Sequence, residues 1–480
     1  MNKKLVFNVI GKLLIAMAPM LLVPMLVCLI YREASFWAFG VTAFFSLLLG
    51  IITRAFTKNY NKVIYAKEGF VIVSLAWLTV SVIGSIPFCI SGEIPSFADA
   101  FFETVSGYTT TGASILQNVE NLSHGMLFWR SFTHWIGGMG VLVFMVAFLS
   151  SISDRSIHIL KAEMPGPIVG KLVPRSKDTS KMLYIIYIAL TLVQIVFLWC
   201  GEMNLFESIL HTFATAGTGG FGIKGDSLMG YSAYSQWVIT VFMFIFGINF
   251  NVFYLLLMGK IKSAFKSSEL AVYTLIIVVS ICLITIDINS LYDSFSETIR
   301  TASLQVVSIS TTTGFSSADF NLWPTMSKTV LLLLMFMGAC AGSTAGGFKI
   351  SRVIIVFKMI SKEIRKMIHP RSVSAIKFEG KEVDERTQKG VTTYFALYFI
   401  CILIILLAIS FEPFDLETNI SAVVSCFNNI GPGFSVVGPM GSYANFSPFS
   451  KIMLSVAMLL GRLEVFPLLI TLIPSTWRRH

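Results

Sequence analysis

Four stretches of the chain combine the residue types that can replace the water around a bare cation: glycines that free main-chain carbonyls, and threonine hydroxyls beside them. They read FADAFFETVSGYTTTGAS at 97–114, LFESILHTFATAGTGGFG at 205–222, SFSETIRTASLQVVSISTTTGFSS at 294–317 and DLETNISAVVSCFNNIGPGFS at 415–435. Each opens on a carboxylate (Glu103, Glu207, Glu297, Glu417), continues as a short helical stretch and ends in small residues around a glycine. Aligned on that glycine, the columns are Gly112, Gly220, Gly314 and Gly433. The residues ahead are Thr109-Thr110-Thr111, Gly217-Thr218-Gly219, Thr311-Thr312-Thr313 and Ile430-Gly431-Pro432.

The chemistry such a unit supports is ion coordination. A short helix entering a membrane from outside points its partially negative C-terminus at the membrane centre. An extended run beyond it can turn carbonyls inward in place of a hydration shell. Threonine adds acceptors without net charge, and glycine permits backbone angles that other residues resist. One such run would suit close helix packing. Four at matching positions can surround one axis, each supplying a quarter of a constriction. The candidate cation ligands are therefore Thr110, Thr111, Gly112, Thr218, Gly219, Gly220, Thr312, Thr313, Gly314, Gly431, Pro432 and Gly433.

A second candidate lies in the apolar segment 326–359, which would be roughly 50 Å long if wholly helical, more than one crossing. Its centre, GACAGSTAGG at 338–347, disfavours helix, since each glycine costs about 1 kcal/mol relative to alanine. The expected result is a broken helix whose loop lies inside the bundle; a kinked span with close packing is the alternative. Gly338, Gly342, Ser343, Thr344, Gly346, Gly347 and Lys349 form this candidate gate. Arg462 joins it, because an arginine in mid-span costs about 2.5–3.5 kcal/mol and must face the bundle interior or water. It can act as a positive barrier, or as a strut bonded to loop carbonyls. Glu464 is a candidate partner, although residues two apart do not share a helix face.

The elements that must position these residues are membrane spans. Of 480 residues, 55% are hydrophobic and 13% charged, too little charge for a soluble surface. Apolar runs fall at 5–31, 36–53, 69–91, 126–150, 182–201, 234–258, 270–288, 326–359, 391–411 and 449–473. This predicts an all-α polytopic membrane protein of about ten transmembrane helices, each run being long enough for a core of roughly 30 Å. Residues 1–68 supply two extra N-terminal helices. Four helix–pore loop–helix repeats follow at 69–152, 181–260, 269–360 (with a broken second helix) and 389–480, pseudo-symmetric about one pore. The N-terminal run continues at spanning length and reads as a first span, not a signal peptide.

The net charge of +10 is concentrated in a few connections: Arg54 to Lys67, Lys171 to Lys181, Lys260 to Lys266 and Lys349 to Lys389. The opposite connections carry Glu93, Asp99, Glu202, Asp287, Asp293, Glu412, Asp415 and Glu417. That alternation places the basic loops and both termini in the cytoplasm, and makes nucleic acid an unsuitable partner. Seven cysteines without CxxC spacing indicate neither a disulfide framework nor a zinc site. Gly217, Gly219 and Gly222 fit GxGxxG but lie outside any βαβ context, so no dinucleotide site follows. The histidines lack ligand spacing, and His134 is expected to pack or hydrogen-bond near the outer interface. A membrane enzyme would need intramembrane clusters of titratable groups, which the sequence lacks. A secondary transporter would show two halves, where this chain shows four quarters.

With these residues in view, the chain resembles the TrkH branch of the Trk/Ktr/HKT superfamily of potassium transporters. The resemblance rests on TTTGAS (109–114), HWIGGMGVLVF (134–144), TGGFG (218–222), STTTGF (310–315), GACAGSTAGGFKISR (338–352), NNIGPGF (428–434) and GRLEVFPLL (461–469). The two spans before residue 55 favour this branch over the eight-span KtrB type. The resemblance implies a pseudo-fourfold channel-like bundle in a bacterial inner membrane, with K+ as the transported ion and no organic cofactor. Glycine in every repeat, Gly112 included, goes with potassium preference; Ile430-Gly431-Pro432 departs from the pattern and implies an uneven ring. It further implies an intramembrane loop obstructing the pore and Arg462 as a barrier beside it. A homodimer and a cytosolic nucleotide-binding regulatory ring of TrkA type, docked on 152–181 and 361–389, are implied in the same way.

Overall fold

The computed structural model describes residues 1–58, 65–140, 176–372 and 375–478, with side chains of 176–180 set aside. The first two helices, α1 (Lys3–Tyr31) and α2 (Phe36–Phe56), form an antiparallel pair joined at Arg32, which takes a left-handed conformation (φ 58°). They cross where Gly50 faces Gly11; a Cβ at Gly50 would stand 2.8 Å from the Gly11 carbonyl oxygen. Much of the outer surface of the pair is exposed and apolar, including Leu26, Ile30, Phe44 and Phe45, as a lipid-facing surface requires.

The remainder repeats one plan. The first unit comprises α3 (Ala66–Ser91), a short α4 (Phe97–Tyr108) and α5 (His124–Gly138). The second comprises α6 (Ser176–Trp199), short α7 (Leu205–Ala216), α8 (Ala233–Phe246), α9 (Phe250–Leu257) and the connecting turn α10 (Ile261–Phe265). The third comprises α11 (Ser268–Ile288), short α12 (Phe295–Ser310), α13 (Thr325–Met335) and α14 (Ile350–Ile368). A two-stranded hairpin, β1 (Lys377–Phe378) and β2 (Lys381–Glu382), leads to the fourth: α15 (Glu385–Ile409), short α16 (Leu416–Phe427), α17 (Pro448–Arg462) and α18 (Phe466–Leu472).

The short helices begin where the sequence supplies N-caps: Ser96, Asn204, Ser294 and Asp415 each accept a backbone N–H of the first turn. The first-turn carboxylates are Asp99, Glu207, Glu297 and Glu417. Glu103, expected in this column, lies a turn deeper and is buried.

Each unit is clasped at its outer end by a carboxylate of its first long helix or the turn just beyond it. Glu93 accepts from the Ser123 N–H (2.9 Å), Asp287 from Ser327 (3.0 Å), Glu412 from Ser447 (3.0 Å), and Glu202 from Ser232. These N–H groups are orphans at helix starts, which a carboxylate satisfies in both hydrogen bonding and dipole. The Ser232 amide holds the Glu202 carboxyl below its usual range.

Among the described residues, six helices are long and apolar enough to cross a membrane: α1, α2, α3, α6, α11 and α15. Among the described residues the second member is interrupted in the second, third and fourth units, where the sequence suggested one break only. The α8–α9 pair bends by 90° at Gly247 to Asn249, and the Asn249 side chain caps α9. In the fourth unit, Glu464 (φ 56°) and Val465 (φ 67°) separate α17 from α18. Pro467 marks that break, because it lacks the N–H that would bond back to Leu463 and disfavours helix just ahead of it. In the first unit α5 stops at Gly138, and 141–150 of the expected span lie outside the described residues.

Glycines at these ends let the second helices reach the short ones: a Cβ at Gly137 would strike the Tyr108 carbonyl, and one at Gly461 the Phe427 carbonyl. Gly461→Ala is therefore expected to cost about 1–3 kcal/mol through overpacking against a backbone that cannot yield. A thermal melt in detergent equal to wild type would contradict this contact.

Candidate functional site

All four short helices end in the same way. A residue in the left-handed region follows each helix: Thr110 (φ 55°), Thr218 (55°), Thr312 (54°) and Asn429 (56°). The next amide reaches back five residues, Thr111 to Ser106 (2.8 Å), Gly219 to Ala214 (2.8 Å), Thr313 to Ser308 (2.8 Å) and Ile430 to Ser425 (2.9 Å). This is the closure that satisfies the last carbonyls of a helix while turning the chain sharply outward. A glycine of positive φ comes next: Gly112 (81°), Gly220 (74°), Gly314 (90°) and Gly431 (104°).

The fourth repeat is thus in register as Asn428-Asn429-Ile430-Gly431, two residues earlier than the alignment on Gly433. Gly433 stands apart: its N–H bonds the Val437 carbonyl (2.7 Å) and it packs on Ser421. Glycine-rich spacing misled the alignment, whereas the left-handed Asn429 sets the register. In that register the fourth repeat follows the backbone path of the others, with Asn429 and Ile430 where they carry threonine or glycine.

The four glycines close a ring. A Cβ on Gly112 would collide with the Gly219 carbonyl oxygen, on Gly220 with that of Thr313, on Gly314 with that of Ile430, and on Gly431 with that of Thr111. Each repeat touches the next, and the fourth returns to the first. All four glycines, with Pro432, line one cavity of about 370 Å³ open to the outer side. The hydroxyls of Thr111 and Thr313 are used behind the ring, each 2.8 Å from the hydroxyl of Thr109 or Thr311. Asn429 Nδ2 donates to Thr111 Oγ1 (3.0 Å) and to the Met458 carbonyl (3.0 Å).

The ring is braced by groups that the sequence did not single out as such. His134 is buried, its Nδ1 2.7 Å from the Gly107 carbonyl and its Nε2 accepting from the Phe221 N–H (3.3 Å). Its imidazole fills the space where a Cβ on Gly219 would sit, so it lies behind the ring instead of at the outer interface. Arg130 and Glu103 form an ion pair (2.8 Å) with side chains 2% and 0% exposed. Glu103 also accepts from Ser114 Oγ and the Ile115 N–H (3.0 Å each), and Arg130 reaches the Gly222 carbonyl (3.2 Å) and covers the Phe221 ring. The pair thereby ties the first and second repeats together just beyond their glycines.

Below the ring, residues 336–349 form an irregular loop between α13 and α14. Its neck is closed by the Gly338 N–H on the Phe348 carbonyl (2.8 Å). Its tip touches the ring, since the Gly346 N–H donates to Thr312 Oγ1 (2.7 Å) and Gly346 lies against Asn428 and Asn429. Gly342, Ser343, Gly346, Gly347 and Lys349 line a cavity of about 50 Å³ together with Arg462 and Glu464. Gly338 and Thr344 lie off this lining.

Arg462 donates to the carbonyls of Thr344 (2.9 Å), Gly138 (2.9 Å) and Gly137, bridging the loop to the first repeat. Glu464 is not its partner: it pairs with Arg352, whose guanidinium lies 4.0 Å from the Tyr394 ring centre. The left-handed break at Glu464 turns the two charges in different directions. Buried Lys349 donates to the Ala345 carbonyl.

This arrangement defines a class: a membrane bundle in which four re-entrant loops surround one axis and a fifth loop lies against them. The comparisons identify the family. The model of TrkH, described as cation transport protein, matches residues 38–478, and the chain belongs to that family. It is 36% identical over the full length of both chains to the Trk system potassium uptake protein TrkH of Salmonella typhimurium. It is 34% identical to TrkG of Escherichia coli over 95% of each chain. The crystal structure of the potassium transporter TrkH from Vibrio parahaemolyticus superposes on the whole chain with a TM-score of 0.90 and 32% identity.

Glu103→Ala strands the buried Arg130 charge and is expected to cost about 3–5 kcal/mol. Thermal unfolding in detergent measures it, and a loss under about 1 kcal/mol, the range of an exposed pair, would contradict the burial of this contact.

Proposed function

We propose that this chain takes up potassium across the bacterial inner membrane through the ring at Gly112, Gly220, Gly314 and Gly431. The single observation that carries the reading is the closed circuit of glycine-to-carbonyl contacts, which gathers the carbonyls of Thr111, Gly219, Thr313 and Ile430 around one axis. Thr110, Thr218, Thr312 and Asn429 stand at its inner edge, and Pro432 borders its outer mouth. An entering ion exchanges water for these carbonyls while the four short helices present their negative ends. The membrane potential drives entry by about 2.3 kcal/mol per charge per 100 mV. Transport needs no catalytic group, and none is assigned.

The loop 336–349 is the gate in this reading, with Arg462 both strut and barrier: it is bonded to three carbonyls and places a fixed positive charge beneath the ring. The repeats are assigned to 69–152, 181–260, 269–360 and 389–480 after an N-terminal pair within 1–68, with the basic loops and both termini cytoplasmic. A homodimer regulated by a TrkA-type ring on the basic loops belongs to the same reading, with the family resemblance as its support.

The test is ion flux through the purified protein in liposomes, with K+ or Na+ as the sole gradient. K+ flux well above Na+ flux is expected; equal fluxes overturn the selective-ring reading. Gly220→Ser forces a side chain onto the Thr313 carbonyl and is expected to lower the K+/Na+ flux ratio roughly tenfold, a change of about 1.4 kcal/mol. Arg462→Ala is expected to raise K+ flux several-fold at equal protein level. A flux at or below wild type would leave Arg462 as a strut alone.

A further inference from the structure

The gate loop is held by one carboxylate, itself fixed by a second, and neither takes part in the ion path described above. Glu269 is the second residue of α11 and only 3% exposed. Its Oε1 accepts from the Ala341 N–H (2.7 Å) and the Ser351 N–H (3.1 Å). One oxygen atom therefore joins the early limb of the loop to the first turn of α14, on the far side of Gly342 to Lys349. A buried carboxylate is an expensive way to fill space, and this one spends its acceptor on the two limbs flanking the gate.

Glu269 is itself fixed from outside the bundle. Its N–H and the hydroxyls of Ser267 and Ser268 all lie 3.0 Å from Oε1 of Glu379. Helix α11 already has a cap, because Ser267 Oγ accepts from the Leu270 N–H (3.3 Å), so Glu379 is an added restraint brought from a distant part of the chain. It sits at the tip of the β1–β2 hairpin, where Glu379 (φ 49°) and Gly380 (φ 74°) make the doubly left-handed two-residue turn that suits a hairpin. The hairpin buries Ile376, Phe378 and Val383 against the bundle and leaves Lys377, Lys381 and Glu382 exposed. Lys358 of α14 donates to the Lys377 carbonyl (2.7 Å). The hairpin thus touches both the helix that carries the clamp and the helix that leaves the gate.

We propose that this hairpin is a latch: Glu379 seats the start of α11, Glu269 transmits that position to Ala341 and Ser351, and displacement of the hairpin releases the gate loop. Glu269 and Glu379 are positioning residues in this scheme. The proposal rests on the gate reading of 336–349.

The experiment compares wild type, Glu379→Ala, Glu269→Ala and the double variant in potassium-loaded liposomes, alongside amide hydrogen exchange at Ala341 and Ser351. Glu379 is exposed, so its loss leaves the packed core intact. Glu379→Ala is expected to raise K+ flux several-fold with the K+/Na+ ratio unchanged, and to speed exchange at both amides. The double variant is expected to match Glu269→Ala, because the two groups act in series. Unchanged flux and exchange in Glu379→Ala overturn the latch, and so do additive effects in the double variant. Wild-type liposomes that pass no K+ overturn the proposed function instead, and exchange at the two amides then still decides the latch.

Discussion

The structure depends on one kind of close approach: an α-carbon with no side chain lying against a carbonyl oxygen of the neighbouring repeat. Repeated four times, that contact fixes the ring's diameter and lets no repeat move alone. Glycine is required twice over at each position, for the space and for the positive φ, which other residues adopt only at a cost. Much of the interior is organised to keep these backbones where they are. The short helices end in alike turns, Asn429 ties the fourth turn to Thr111 of the first, and His134 and the Arg130–Glu103 pair close the space behind.

The second helices serve the same constraint from below. Their glycines at Gly137 and Gly461 admit the ends of the short helices. The third repeat converts its break into a loop long enough to reach back, where Gly346 meets Thr312. Ring and loop are therefore mechanically continuous. Arg462 extends that continuity to the first repeat through Gly137 and Gly138, and Arg352–Glu464 anchors α14 to the fourth. The loop is thus held from several sides at once, by the ring, by Arg462 and by Glu269.

Much of this was legible in the sequence. The apolar runs, the four small-residue stretches and the glycine-broken segment at 338–347 are local patterns, and each predicts its own structure. Less was legible where the pattern was weak. The breaks at Gly247–Asn249 and at Glu464–Val465 were hidden in runs of full spanning length, although Asn249 and Pro467 were present as signals. Glu103 passed for a helix-opening carboxylate, because its partner Arg130 is remote in sequence and only burial distinguishes it from Asp99. The register error at Gly433 has the same origin: Gly431 and Gly433 are equally plausible as letters, and the choice depends on which one meets Thr111.

The sequence by itself determined that this is a membrane protein of four pore-loop repeats with an interrupted third unit, since hydrophobic length, capping residues and glycine content act over a few neighbouring residues. Tertiary structure alone decided which glycine closes the ring, which charges pair, and which amides the buried Glu269 holds. Those are contacts between repeats, set by distances across the axis that no local preference encodes.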